Sequence, residues 1–187
     1  MAKRILLLAS GAGSLAKAIL EAHAAGQIDA EFVALISDKD SPALAVAHHF
    51  DISAIFLPLG KDRIAWDQGI FDATEILAPD LIVSVGFMRI LSPRYVETFK
   101  VINTHPSLLP LFPGAHAVQD ALAAHEKITG TTIHWVDAGL DTGLVIAQQK
   151  VEIAPEDDES ALHERIKIAE RTLIVERLVE YGRTGNL

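Results

Sequence analysis

The chain has 187 residues, half of them hydrophobic and 22% charged, with a net charge of −9. That balance predicts one packed domain over 1–187 rather than a disordered chain, and a pI of about 5.3 argues against a nucleic-acid platform. The absence of cysteine excludes disulfides, thiolate metal sites and a cysteine nucleophile, and it suits a cytoplasmic location.

Lys3-Arg4 followed by the uncharged run Ile5 to Ala16 imitates the start of a secretory leader. Only Ile5 to Leu8 is strongly apolar, though, and Gly11 and Gly13 suit a strand-to-helix turn. No stretch has the length of a membrane span, so a soluble, unprocessed protein without a membrane partner is expected. Ile5 to Ala9 reads as a buried strand, Ser10 to Gly13 as a tight loop and Leu15 to Ala25 as a helix ending near Gly26. A strand over Phe32 to Ile36, a loop from Ser37 to Pro42, a helix over Leu44 to Phe50 and a short strand over Ala54 to Leu57 follow. Asp62 to Leu77 predicts a helix with Ile64, Phe71 and Leu77 turned inward, Leu81 to Val85 a strand cut by Gly86, and Pro93 to Phe99 a short helix. Such β-α alternation predicts an open, mostly parallel, Rossmann-like sheet with helices on both faces.

Phe99 to Ile102 leads into Asn103-Thr104-His105-Pro106, where polar residues occupy the carboxyl end of a strand that proline then stops. Ligands of open α/β sheets bind beyond such ends. Asn103 and His105, two residues apart, face the same side and can share one ligand oxygen and one proton. Beyond them, Thr131 to Val136 and Leu144 to Val151 are joined so briefly that they must be antiparallel neighbours. Leu162, Ile166, Ala169 and Leu173 repeat at helical spacing within Ala161 to Tyr181, with Gly182 as the stop.

Further features bear on chemistry. Gly11-x-Gly13-x-x-Ala16, between a strand and a helix, predicts an anion site at the helix N-terminus; with Asp38 as a ribose ligand it also matches, weakly, a dinucleotide fingerprint. Asp141 lies in a glycine-flanked turn and is turn chemistry unless the fold carries it to His105, where its charge would favour the protonated ring. His134 either lines the pocket or satisfies a partner within the sheet. A zinc site from His105, His116 and His134 lacks paired ligand spacing, so no metal is expected. Gly86 to Leu91 is either a buried turn or one wall of an apolar slot.

Asn103-x-His105-Pro106-Ser107-Leu108-Leu109-Pro110, Phe112-Pro113-Gly114, Gly130-Thr131-Thr132-x-His134 and Leu140-Asp141-x-Gly143 together resemble the signature of the folate-dependent formyltransferases. Gly86-Phe87-Met88-Arg89-Ile90-Leu91 and Ser10-Gly11-x-Gly13-Ser14 extend the likeness over nearly the whole chain. The resemblance implies a formyltransferase fold and transfer of the formyl group of 10-formyltetrahydrofolate to the amine of glycinamide ribonucleotide, by a monomer or a homodimer. It implies Asn103, His105 and Asp141 as the catalytic trio. Arg63, Met88, Arg89, Ile90 and Leu91, together with Asn103, would contact the folate. Gly13, Ser14 and Leu15 would hold the ribonucleotide phosphate, and Glu170 would touch the same substrate. Family members commonly carry asparagine at the positions of Ala12 and Leu15 and histidine at that of Val118, so a side-chain donor is missing from the phosphate loop here. Another acceptor amine, or water as in a formyltetrahydrofolate hydrolase, is the alternative within the fold, and an NAD-dependent oxidoreductase is the alternative outside it.

Overall fold

A computed structural model describes residues 2–187. Its centre is β1 (Lys3–Ala9), whose Ile5 to Ala9 are wholly buried, because both faces of this strand are covered and every side chain must be apolar. Around it the chain lays down α1 (Ser14–Ala24), β2 (Ala30–Ser37), α2 (Pro42–His49), β3 (Ala54–Phe56), α3 (Arg63–Leu77), β4 (Leu81–Ser84), α4 (Pro93–Thr98) and β5 (Val101–His105). There follow α5 (Ala117–Ala123), β6 (Ile128–Trp135), β7 (Val145–Glu152) and α6 (Glu159–Thr184). The seven strands form one sheet in the order β3-β2-β1-β4-β5-β6-β7. Pairing is parallel from β3 to β5 and antiparallel for β5 with β6 and for β6 with β7.

Alternation along β1 divides the core. Ile5 and Leu7 pack with Ile19 and Leu20 of α1, Ala43 and Ala47 of α2, and Leu173, Ile174 and Leu178 of α6. Leu6 and Leu8 pack on the other face with Trp66, Ile70 and Phe71 of α3 and Tyr95 of α4. Full burial of one such leucine is worth about 1.5–3 kcal/mol. Because β2 and β4 flank β1, the direction of winding reverses beside it, and the loops that leave β1 and β4 border the crevice where open sheets bind ligands.

Two local expectations fail for physical reasons, and one helix was not expected. Ile64 is 82% exposed: it lies in the first turn of α3, next to the N-cap Asp62, whose side chain accepts from the amides of Ile64 and Ala65. Gly182 does not end α6, which runs on to a cap at Gly185; a Cβ at Gly182 would lie 2.7 Å from the carbonyl oxygen of Asp29, so the glycine serves close approach instead. Helix α5 has no counterpart in the sequence reading. It buries Val118 against Leu162 and Ile166 of α6.

Candidate active site

The carboxyl end of β5 carries Asn103 and His105, and antiparallel pairing sets Asn103 opposite His134 and His105 opposite Thr132. Thr132 is buried and anchors the turn that follows. Its hydroxyl donates to the Ser107 carbonyl at 2.6 Å and accepts from the Leu109 amide at 3.0 Å, and Gln148 donates both to it and to the Leu109 carbonyl. The Leu109-Pro110 peptide is cis. This fixed turn returns the chain so that the carbonyl of Phe112 accepts from Nε2 of His105 at 2.8 Å.

The other ring edge faces Asp141. Nδ1 of His105 lies 3.4 Å from Oδ2 of Asp141, and Nε2 of His134 lies 3.6 Å from Oδ1. The same Oδ2 accepts from the Gly114 amide at 2.8 Å, which ties the turn before β7 to the turn after β5. Phe112 and Asp141 both have left-handed backbones, with φ of 52° and 54°. Non-glycine residues hold such angles at a cost, and they do so where the surroundings fix them. Here both strained residues present an oxygen to one imidazole.

His134 completes the ring of polar groups. Its Nδ1 is 2.9 Å from the Trp135 carbonyl, which can only accept, so Nδ1 carries the hydrogen and Nε2 is a bare acceptor. Burial lowers its pKa below the usual histidine value, outweighing the hydrogen bond to Trp135 and the charge of Asp141. Neutral His134 then accepts from the amide of Asn103 at 3.3 Å, which orients that amide and leaves its second N–H free. The ambiguity over His134 in the sequence resolves through the β5–β6 register, which no sequence signal fixes. His116, by contrast, is exposed and sits at the N-cap of α5, and the zinc trio does not assemble: no group of three or more His, Asp or Glu placed to hold a metal ion occurs among the described residues.

At the end of β1, Gly13 caps α1 with φ of 74° and no side-chain hydrogen bond, leaving the first-turn amides of Ser14 and Leu15 free for an anion. A Cβ at Gly13 would sit 2.7 Å from Cα of Ala43. Ser14 is exposed, whereas the Leu15 side chain is buried in the core, so only its backbone faces the crevice. Beyond β4, Met88 and Ile90 are each 69% exposed while Leu91 is buried and half-buried Phe87 stacks on Trp66, so the 86–91 loop is anchored by two apolar side chains and displays two. Arg63 reaches this loop: it bonds Asp67 at 2.8 Å, stacks 5.2 Å from the Trp66 ring centroid and donates to the Ile90 carbonyl. Asp38 is not free to bind a ribose. Its side chain is fully buried and bonded to Ser10 and Arg89, which removes the acidic half of the dinucleotide fingerprint.

Glu170 lies half-buried on α6, beside Lys167 and Arg171, and burial lifts its pKa from the usual carboxylate value to about 7. The structure thus joins Asn103, His105 and Asp141 with His134, joins Arg63 with Met88 to Leu91, and sets Gly13 to Leu15 on the far side of β4, across the crevice.

The chain as a whole is similar to known proteins. The formyl transferase family pattern covers residues 3–178. A phosphoribosylglycinamide formyltransferase of Mycobacterium tuberculosis is 48% identical over 176 residues, covering 92% of this chain and 81% of that protein. The enzyme of the same name from Escherichia coli is 35% identical over 178 residues, covering 90% and 82%. Among solved structures, the phosphoribosylglycinamide formyltransferase of Bacillus halodurans superposes with a TM-score of 0.92 at 34% identity, over 98% of this chain and 97% of that one.

Proposed function

The chain belongs to the formyl transferase family, and from that premise we propose that it moves the formyl group of 10-formyltetrahydrofolate to the amine of glycinamide ribonucleotide. The observation that carries this reading is the convergence of Asn103, His105, His134 and Asp141 on one point at the end of β5. The acceptor follows from the relatives' names and from the free helix N-terminus of α1, which suits a phosphate monoester. The folate follows from the family and from the slot edged by Arg63, Met88, Arg89, Ile90 and Leu91, where the arginines suit carboxylates and the exposed apolar groups a flat ring.

The acceptor amine attacks the formyl carbon and its electron pair forms the new C–N bond, so the carbonyl π pair moves onto oxygen. The second N–H of Asn103 and protonated Nδ1 of His105 donate to that oxygen. Aimed donors of this kind are worth about 2.7–4 kcal/mol each in a dry site. As the oxyanion collapses, the bond to the folate nitrogen breaks; His105 supplies the proton this nitrogen needs and recovers one from the attacking nitrogen. Asp141 keeps the imidazolium oriented, and His134, neutral, keeps Asn103 turned. No covalent enzyme intermediate is required.

Incubation with 10-formyltetrahydrofolate and glycinamide ribonucleotide tests the reading, with tetrahydrofolate release as the signal. Release should depend on the amine. Equal release without it would assign a hydrolase, and absence of release with it would defeat the acceptor.

A further inference from the structure

One buried charge lies outside this mechanism. Asp38 follows β2, is fully buried at its side chain, and accepts from Nε of Arg89 at 2.5 Å. The hydroxyl of Ser10 donates to the same carboxylate, and Oγ of Ser10 accepts from the amide of Met88 at 2.8 Å. Ser10 closes the arrangement through its own amide, which donates to the Gly86 carbonyl at 3.2 Å. Three loops, following the adjacent strands β2, β1 and β4, are therefore tied at one carboxylate.

A buried carboxylate is costly unless paired and hydrogen-bonded. Here the partners are two consecutive residues of the 86–91 loop, one held by its side chain and the other through Ser10. We propose that Asp38 is a positioning residue for the folate loop: it aims the Arg89 guanidinium and fixes the Met88 amide, so that the loop meets the donor with its shape already set. Pre-ordering of this kind lowers the cost of binding without touching the reacting atoms. The Arg89 side chain, 29% exposed, has only Nε committed to Asp38, leaving its outer nitrogens for a carboxylate of the ligand. The inference rests on the folate reading of this loop.

Asp38→Ala should raise the KM for 10-formyltetrahydrofolate by about tenfold or more, with kcat and the KM for the ribonucleotide within about threefold of the parent. Arg89→Ala introduced on top of Asp38→Ala should add much less than it does alone, since Arg89 is then already unaimed. If Asp38→Ala does not fold, Asp38→Asn retains an acceptor for Ser10 and removes only the charge pairing with Arg89; a severalfold rise in the folate KM is expected. An unchanged folate KM overturns the proposal. So does a parallel fall in kcat and in affinity for both substrates, which would mark Asp38 as scaffold alone. Calorimetric titration with tetrahydrofolate and no acceptor separates the two levels: a parent that binds and an Asp38 variant that binds equally well defeat the positioning role only. A parent that does not bind defeats the folate reading and the inference with it.

Discussion

At the end of β1 the chain offers backbone: Gly13 at φ 74°, the free amides of Ser14 and Leu15, and a leucine side chain folded away into the core. At the end of β5 it offers side chains, each oriented by a partner: Asn103 by His134, His134 by Trp135, and His105 by Phe112 and Asp141. The first region depends on what a glycine omits, and many sequences could satisfy it. The second depends on four particular side chains, and its geometry cannot be kept by approximate substitutes. Under the proposed function, binding and chemistry fall at different strand ends and should respond separately to mutation.

His105→Ala breaks the chemical region most deeply. Steady-state kinetics should show kcat lowered by about 10²–10⁴-fold with the ribonucleotide KM little changed; near-normal turnover would remove His105 from the reaction. Asn103→Ala removes one oxyanion donor, and a kcat loss of about 10²–10³-fold is expected. The binding region should answer in the opposite way. Gly13→Ala puts a side chain at a left-handed backbone and against Ala43, at a cost of about 1–3 kcal/mol. The ribonucleotide KM should rise about tenfold with kcat retained, and a kcat defect of the His105→Ala size would erase the distinction between the regions.

The smallest effect concerns Glu170. Its carboxyl is held near pKa 7 in the fold against an ordinary value of 4.5. The folded protein then binds the proton more tightly than the unfolded chain does. The resulting stability is present below about pH 4.5 and is lost as pH rises through about 7. Glu170→Gln, a permanently neutral mimic, should melt with the parent at pH 5 and above it at pH 8, by roughly 2–4 °C for each kcal/mol relieved. Equal melting temperatures at pH 8 would show that the glutamate is solvated when charged.

The parallel half of the fold was legible because strands covered on both faces read as apolar runs, as Ile5 to Ala9 and Leu81 to Val83 do. Asn103 and His105 were legible through their spacing of two at a strand end. Asp141 needed the family resemblance to lift it above an ordinary turn residue. His134 needed the β5–β6 register, which depends on a long connection through α5 that carries no register signal. Asp38 kept a weak ribose reading because its position after β2 suits such a ligand and only coordinates reveal its burial. Gly182 was misread because a glycine that admits a neighbouring backbone and one that ends a helix look the same in a string of letters.

The carbonyl of Phe112 occupies one nitrogen of His105. In the proposed reaction the imidazole is then a room with one door: a proton cannot enter at one side of the ring and leave by the other. Recharging between turnovers must use the same edge that served the substrate, past Asp141, whose side chain is 12% exposed and so touches solvent. The catalytic group can be reset only once that edge is clear, which links its readiness for the next cycle to departure of the product.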